Sequence, residues 1–355
     1  MINSNIQILS ETADNLDEED WNNISKFMKE FPNRVKRSFG PEYYKNKLLN
    51  SPYGLSYITR VIDKSGYCLG LTTLTRKLFV VDGKKYLSFE LGDSFVTKKL
   101  QGKSIYSKIL SSALLIIEKN EKPKFIYSTP NSQSMHGLLK RGFELSEYKI
   151  YSRLLPLNVA GLFQYSFIKI LLKFFISIYI YIIKVLLKIF SKNNDISIKS
   201  VEDLIKIEDK HISTNQIEHH RSHDYLKWRY FKNPDKYTMY AIYHRKNYIG
   251  YIVFKEGIHK KALALYLVDI FIKKKYISFT RPAICRTLLL NDLKKYAFVS
   301  TWISRKSTFW KDISSCFPIK NKNIPFIIHK KLSDDIFLNK NNKTIHFVLG
   351  DGDNI

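Results

Sequence analysis

Three stretches of this chain recur, in the same order, about 180 residues further on. No other feature limits the possible folds as much. YLKWRYFKNP at 225–234 echoes YKNKLLNSP at 44–52. Tyr57 stands 13 residues before Gly70, and Tyr237 stands 13 before Gly250, each glycine inside a strand pattern that follows a polar turn. Residues 127–143, ending in Gly142-Phe143, match 302–317, ending in Cys316-Phe317. A unit that occurs twice must build its core twice, and 355 residues suffice for two domains of ordinary size. The boundaries read as a first domain over 1–153, a linker over 154–196 and a second domain over 197–355.

The first copy alternates helix and strand signals. Residues 14–30 open with Asp and Asn caps and place Trp21, Ile24 and Met28 on one helical face. Pro41 opens a second short helix over 41–50. Strands are predicted over 55–63, 68–76 and 77–81, the last turning at Asp82-Gly83 into a central strand, 86–96. A basic turn follows, then a helix over 107–119 with Ile105, Ile109, Ala113 and Ile116 in helical spacing, then a strand over 124–128. A glycine-bearing turn that opens a helix leaves amides unpaired at the positive end of the dipole, which suits phosphate. Lys98, Lys99 and Lys103 add charge there.

Gln101-Gly102-Lys103-Ser104-Ile105-Tyr106 resembles the Q/R-x-x-G-x-G/A pyrophosphate loop of the GNAT acyltransferases. Asn131-Ser132-Gln133-Ser134, followed by Leu139-Lys140-Arg141-Gly142-Phe143, is similar to that family's "PN…S…GF" segment. The resemblance covers residues 40–150 well and 200–355 more faintly. It implies an α+β fold of two tandem GNAT-like lobes, each a mixed, mostly antiparallel sheet flanked by helices, joined by an apolar amphipathic helix. It also implies an N-acyltransferase with acetyl-CoA as acyl donor and an amine acceptor. Two-lobed members of this look are met in bacterial cell-surface polysaccharide assembly, which makes an amino sugar on a nucleotide or lipid carrier the candidate acceptor. The cofactor-binding positions carried over are Val96, Gln101, Gly102, Lys103, Ser104, Ile105, Tyr106 and Asn131. Ser104 stands at the family's first glycine and Tyr106 at its second small position. Serine keeps the backbone N–H but takes room where a glycine lets the ligand approach.

Acyl transfer needs a deprotonated amine, a stabilised carbonyl oxygen and reactants held together. Glu90, eleven residues before Gln101, matches the strand carboxylate that several GNAT enzymes use as general base. Asp93 is the second candidate and, three residues on, belongs to the opposite face of a regular strand. The plain alternative for Glu90 is a strand carboxylate facing solvent or paired with Lys84. The family's acidic tyrosine is replaced by Leu138, with His136 and Ser134 nearby. After Val268-Asp269-Ile270 no glycine opens a cradle, so no second coenzyme site is expected. His219, His220 and His223 lack a ligand spacing, and no metal is expected. Trp228, Tyr230 and Phe231 read as core of the second lobe.

The net charge of +26 suits an anionic coenzyme, an anionic membrane or a nucleic acid without choosing among them; nucleic acid is not the expected partner. Three well-separated cysteines and a polar, acidic N-terminus point to the cytoplasm. Residues 162–190 are the most apolar stretch. Their longest central run without charge, 174–183, is short of the ~20 residues that span a bilayer. At ~100° per residue, Lys169, Lys173, Lys184 and Lys188 share an arc of about 100°. That pattern fits a helix lying in a membrane interface, on the inner face. It also fits one buried between two lobes with its lysines outward. Two further readings come from other classes: a Fem-type transferase using aminoacyl-tRNA, and a non-catalytic, membrane-associated protein of the same fold.

Overall fold

The computed structural model describes residues 6–30, 40–162, 166–192, 195–202, 216–329 and 344–352, with side chains of the long central helix described from residue 174 onward. In the first half, β1 (Ile6–Thr12) precedes α1 (Glu18–Lys29) and α2 (Pro41–Leu48). Asp17 caps α1 by accepting the Asp20 amide at 2.8 Å, and Pro41 takes the first position of α2, where a missing N–H costs nothing. Strands β2 (Tyr57–Asp63), β3 (Cys68–Val81) and β4 (Lys84–Val96) form an antiparallel meander. The two strands predicted over 68–81 are one continuous strand. Asp82 and Gly83 both have positive φ, 52° and 77°, as a two-residue type I′ hairpin requires. Then come α3 (Ile105–Asn120), β5 (Phe125–Ser128), α4 (Ser132–Leu139) and β6 (Phe143–Leu145).

The second half holds β7 (Ile150–Pro156), α5 (Ser166–Phe190), β8 (Ile196–Val201), β9 (Gln216–His219) and α6 (His223–Leu226), which runs on into a π-type turn, Lys227–Phe231. Strands β10 (Tyr237–His244), β11 (Asn247–His259) and β12 (Ala262–Ile272) form a second meander. It leads through a 3-10 turn, Lys274–Phe279, into α7 (Thr280–Leu289), β13 (Phe298–Ser304), α8 (Trp310–Cys316), β14 (Ile319–Ile324), β15 (Ile327–His329) and β16 (Thr344–His346).

The chain divides into two compact units by contact, and not by a single cut. One unit takes Met1–Glu147, His219–Asp235 and Pro325–Lys343; the other takes Tyr148–Glu218, Lys236–Ile324 and Thr344–Ile355. Strand β7, which straddles the boundary expected near residue 153, therefore lies wholly in the second unit, between β14 and β13. Trp228 and Tyr230 are core residues of the first unit, where the Trp228 indole donates to the Asn46 carbonyl at 2.6 Å.

In the first unit the strands run β1-β2-β3-β4-β5-β15-β6. One face packs on α3 through Tyr57, Leu74, Phe89, Leu91, Leu110, Ala113 and Ile126. The other packs on α1 and α2 through Ile58, Leu71, Trp21, Ile24, Phe27 and Tyr44. In the second unit the order is β14-β7-β13-β12-β11-β10-β8. The duplicated glycines occupy equivalent places. Gly70 on β3 pairs with Val96 near the end of β4, and Gly250 on β11 pairs with Ile272 at the end of β12. A Cβ on Gly70 would meet the Phe95 carbonyl oxygen at 3.1 Å, and one on Gly250 the Phe271 oxygen at 2.1 Å. Both sheets join the meander to the following strand in parallel, β4 to β5 and β12 to β13.

Candidate active site

Strands β4 and β5 stay paired only from Ser88↔Phe125 to Glu90↔Tyr127, after which they part. Beyond that point the Ser128 hydroxyl donates to the Leu91 carbonyl at 2.8 Å. The next turn of β4 carries a bulge: the register slips between Leu71 and Thr73, and Asp93 sits at φ 44°. A bulge adds one residue and resets the alternation. Thr73 pairs with Ile58, whose side chain packs on α1 and α2, so Thr75 and its partner Glu90 look to that same side. The bulge brings Asp93 out there too, against the opposite face expected of a regular strand.

Both carboxylates are buried and paired with lysines that the sequence did not single out. Glu90 meets Lys77 of β3 at 3.1 Å, with side-chain exposures of 2 % and 1 %. It neither faces solvent nor pairs with Lys84. Asp93 meets Lys47 of α2. A lysine inside the buried run of β3, and one four residues from Tyr43 on the packed face of α2, were the available signals. His219 lies on the same side, against Phe79, Tyr53 and Tyr225. Burial, then the charges of Lys77 and Arg221, hold its imidazole well below the ordinary range, hence neutral. Among the described residues no group of His, Cys, Asp or Glu is arranged to hold a metal.

From Val96 the chain makes a 3-10 turn, Lys98–Leu100, and the Gln101 side chain donates back to the Val96 carbonyl at 3.2 Å. Gly102 has φ 75° and open space where a Cβ would stand. Ser104 caps α3 at φ 59°, ψ 11°, the left-handed conformation that favours glycine. The helix begins at Ile105, so the amides of Ile105, Tyr106 and Ser107 have no helical carbonyl to serve. Gln101, Gly102, Lys103 and Ser104 are exposed, with Lys98 and Lys99 beside them, and Ile105 is buried.

Tyr106 departs most from a cradle. Its ring lies so close to α4 that a Cβ on Gly137 would stand 2.6 Å from its Cε1. Its hydroxyl is shut from solvent without a well-formed hydrogen bond. Burial pushes that phenol up to about 12, the neighbouring Ser94 hydroxyl on β4 acting the other way. The ring thus fills the gap between the end of β4 and α4. Asn131 caps α4, its side-chain oxygen accepting the Ser134 amide at 2.9 Å. Leu138 is buried in the α3-side core, while His136 is exposed.

A cavity of ≈ 570 Å³ opens in the same unit, lined by Glu42, Asn46 and Asn50 with Asp224, Lys227 and Trp228. Lys47, next to Asn46 on α2, is the residue that reaches Asp93.

No protein-family model matches the sequence, and no curated protein does either. Solved structures do. Saccharomyces cerevisiae N-myristoyltransferase with bound myristoyl-CoA aligns over 98% of this chain and 90% of its own, with a TM-score of 0.60 and 12% identity. A tandem GNAT protein from the clavulanic acid biosynthesis pathway aligns over 91% and 98%, with 0.58 and 8%. A probable N-acyltransferase from Enterococcus faecalis V583 aligns over 91% and 72%, with 0.56 and 12%. At these identities the likeness is one of fold: the chain has the mixed α/β, mostly antiparallel architecture of tandem GNAT proteins.

Proposed function

We propose that the first unit transfers an acyl group from acetyl-CoA to an amine. The observation that carries this is the parting of β4 from β5 at Glu90, directly before a basic turn that opens α3. The turn fits a pyrophosphate: two left-handed positions, Gly102 and Ser104, bend the chain, the first-turn amides lack helical partners, and residues 101–104 are exposed with Lys98 and Lys99. Gln101, Gly102, Lys103, Ser104, Ile105 and Tyr106 would supply those amides, with Val96 and Asn131 flanking the arm of the donor.

In the reaction the amine nitrogen attacks the thioester carbonyl, the C–S bond breaks, and coenzyme A leaves as thiolate. Glu90 accepts the amine's proton, with Asp93 as the alternative. The nitrogen becomes strongly acidic once it bonds to the carbonyl carbon, so transfer follows bond formation. Holding the two reactants together supplies the larger share, of order ~7–11 kcal/mol in well-oriented systems. The acceptor we infer is an amino sugar on a nucleotide or lipid carrier. In the cavity Glu42 and Asp224 suit its ammonium group, and Asn46 and Asn50 its hydroxyls.

One observation favours a second reading, a binding protein without turnover: Tyr106 fills the gap that a donor's arm would enter. Titration calorimetry with acetyl-CoA, beside tRNA as control, together with thiol release in the presence of amino sugars, separates the two. Gly102→Asp sets a carboxylate against phosphate and abolishes acetyl-CoA binding; unchanged affinity in that variant overturns the proposal.

A further inference from the structure

Helix α5 is docked by its narrow side. Ile176, Ile180, Leu187 and Ser191 are buried, and at ~100° per residue they share an arc of about 60°. Within the second unit that side meets Val159 and Ala160, and Arg286 donates to the Ser191 carbonyl at 3.1 Å. The broad side is bare. Phe174, Phe175, Ile178, Tyr179, Tyr181, Ile182, Val185, Leu186, Ile189 and Phe190 are all exposed, Phe174 at 69% and Tyr181 at 70%. They occupy an arc of about 180° centred opposite the docked side. Within the second unit, then, the broad side of the helix is left uncovered. The lysines lie toward the docked side: Lys184 is half-buried and Lys188 exposed at the edge of the apolar arc, while the side chains of Lys169 and Lys173 lie outside the described ones.

We propose that the bare face of α5 beds this protein in the surface of an anionic bilayer. A patch of this size on a soluble chain calls for a partner. Charge identifies its chemistry. From Tyr148 to Asn194 the chain has no Asp or Glu but carries Lys149, Arg153, Lys169, Lys173, Lys184, Lys188 and Lys192. Lys188 and Lys192 stand exposed at the C-terminal end, and the Arg281 guanidinium lies over the Phe190 ring at 5.0 Å. An apolar face with a cationic border is the profile of a helix that lies along headgroups. A second copy would set these cations against themselves, on chains that each carry +26. Among the described residues no helix is long and apolar enough to cross a membrane. The contact is peripheral.

Vesicle flotation tests this without any acyl donor, so its result is independent of the catalytic reading. Full-length protein is floated with vesicles of phosphatidylglycerol mixed with phosphatidylcholine, and with phosphatidylcholine alone. Size exclusion without lipid reports its oligomeric state. Wild type is expected to float with the phosphatidylglycerol vesicles, more weakly at high salt, and to elute as a monomer. The variant Phe175→Gln/Ile178→Gln/Ile182→Gln touches only exposed positions and should keep the wild-type urea midpoint while partitioning at least about tenfold less. Lys184→Glu/Lys188→Glu/Lys192→Glu should be released likewise. Wild type that stays unbound, or variants that float as well as wild type, overturn the proposal. So does a wild-type dimer that the glutamine variant splits, because a second copy then covers the face.

Discussion

If Tyr106 stands where an acyl donor must pass, removing its ring should tighten donor binding. The ring is mostly buried between Ser94 and Gly137, so swinging it out gives up packing of the kind that costs ~3–5 kcal/mol when a fully buried aromatic is deleted. The donor's own contacts restore part of that. A net displacement cost of about 1.4–2.8 kcal/mol corresponds to a ten- to hundredfold weaker apparent affinity. Tyr106→Ala should recover that factor in a calorimetric titration with acetyl-CoA. Gly137→Ala should recover part of it by pushing the ring aside, because its Cβ would stand 2.6 Å from Cε1. The double variant should gain no more than Tyr106→Ala alone, since both act through one ring. Equal affinity in wild type and Tyr106→Ala, with Gly102→Asp still abolishing binding, would show that the coenzyme passes elsewhere.

Two further outcomes follow from buried geometry. Glu90→Leu leaves Lys77 buried without its carboxylate and should cost about 3–5 kcal/mol in urea unfolding, most of it recovered by Lys77→Met in the same chain; a double variant as unstable as the single would refute the pairing. Gly250→Ala should lower the melting temperature much more than Gly70→Ala, because its Cβ overlaps a carbonyl oxygen at 2.1 Å against 3.1 Å; equal losses would refute the carbonyl overlap as the source of the cost.

The fold class was legible because the duplication survives at positions where backbone packing dictates the residue. Gly70 and Gly250 are small because a carbonyl approaches, and Asp82-Gly83 supplies the two positive φ angles of its turn. The turn that opens α3 was legible from Gly102 and its lysines. Asp93's direction was not, because a bulge has no compositional mark: strict alternation sends the side chain one way and a single positive φ sends it the other. Lys47 and Lys77 were hidden by the habit of reading lysine as solvated, although each lies within an apolar pattern. For α5 the helical period revealed the width of the apolar arc. Which arc docks depends on α7 and the turn at residues 159–162, and no period encodes that. The assignment of 219–235 to the first unit escaped notice because the repeat places its echo of 44–52 in the second half.

The exchange of segments between the units has a consequence for biosynthesis. The first sheet lacks β15, which lies between β5 and β6, until residues 327–329 emerge, and the residues around His219 that cover Lys77 and Phe79 arrive well over a hundred residues after them. A ribosome delivering this chain N-terminus first therefore holds an unfinished sheet with an open β5 edge through most of elongation. Contacts this distant in sequence slow the search, and an unfinished edge beside a bare apolar helix is prone to association. A slow final phase of maturation is expected from the order of the segments, whatever the reaction at the site.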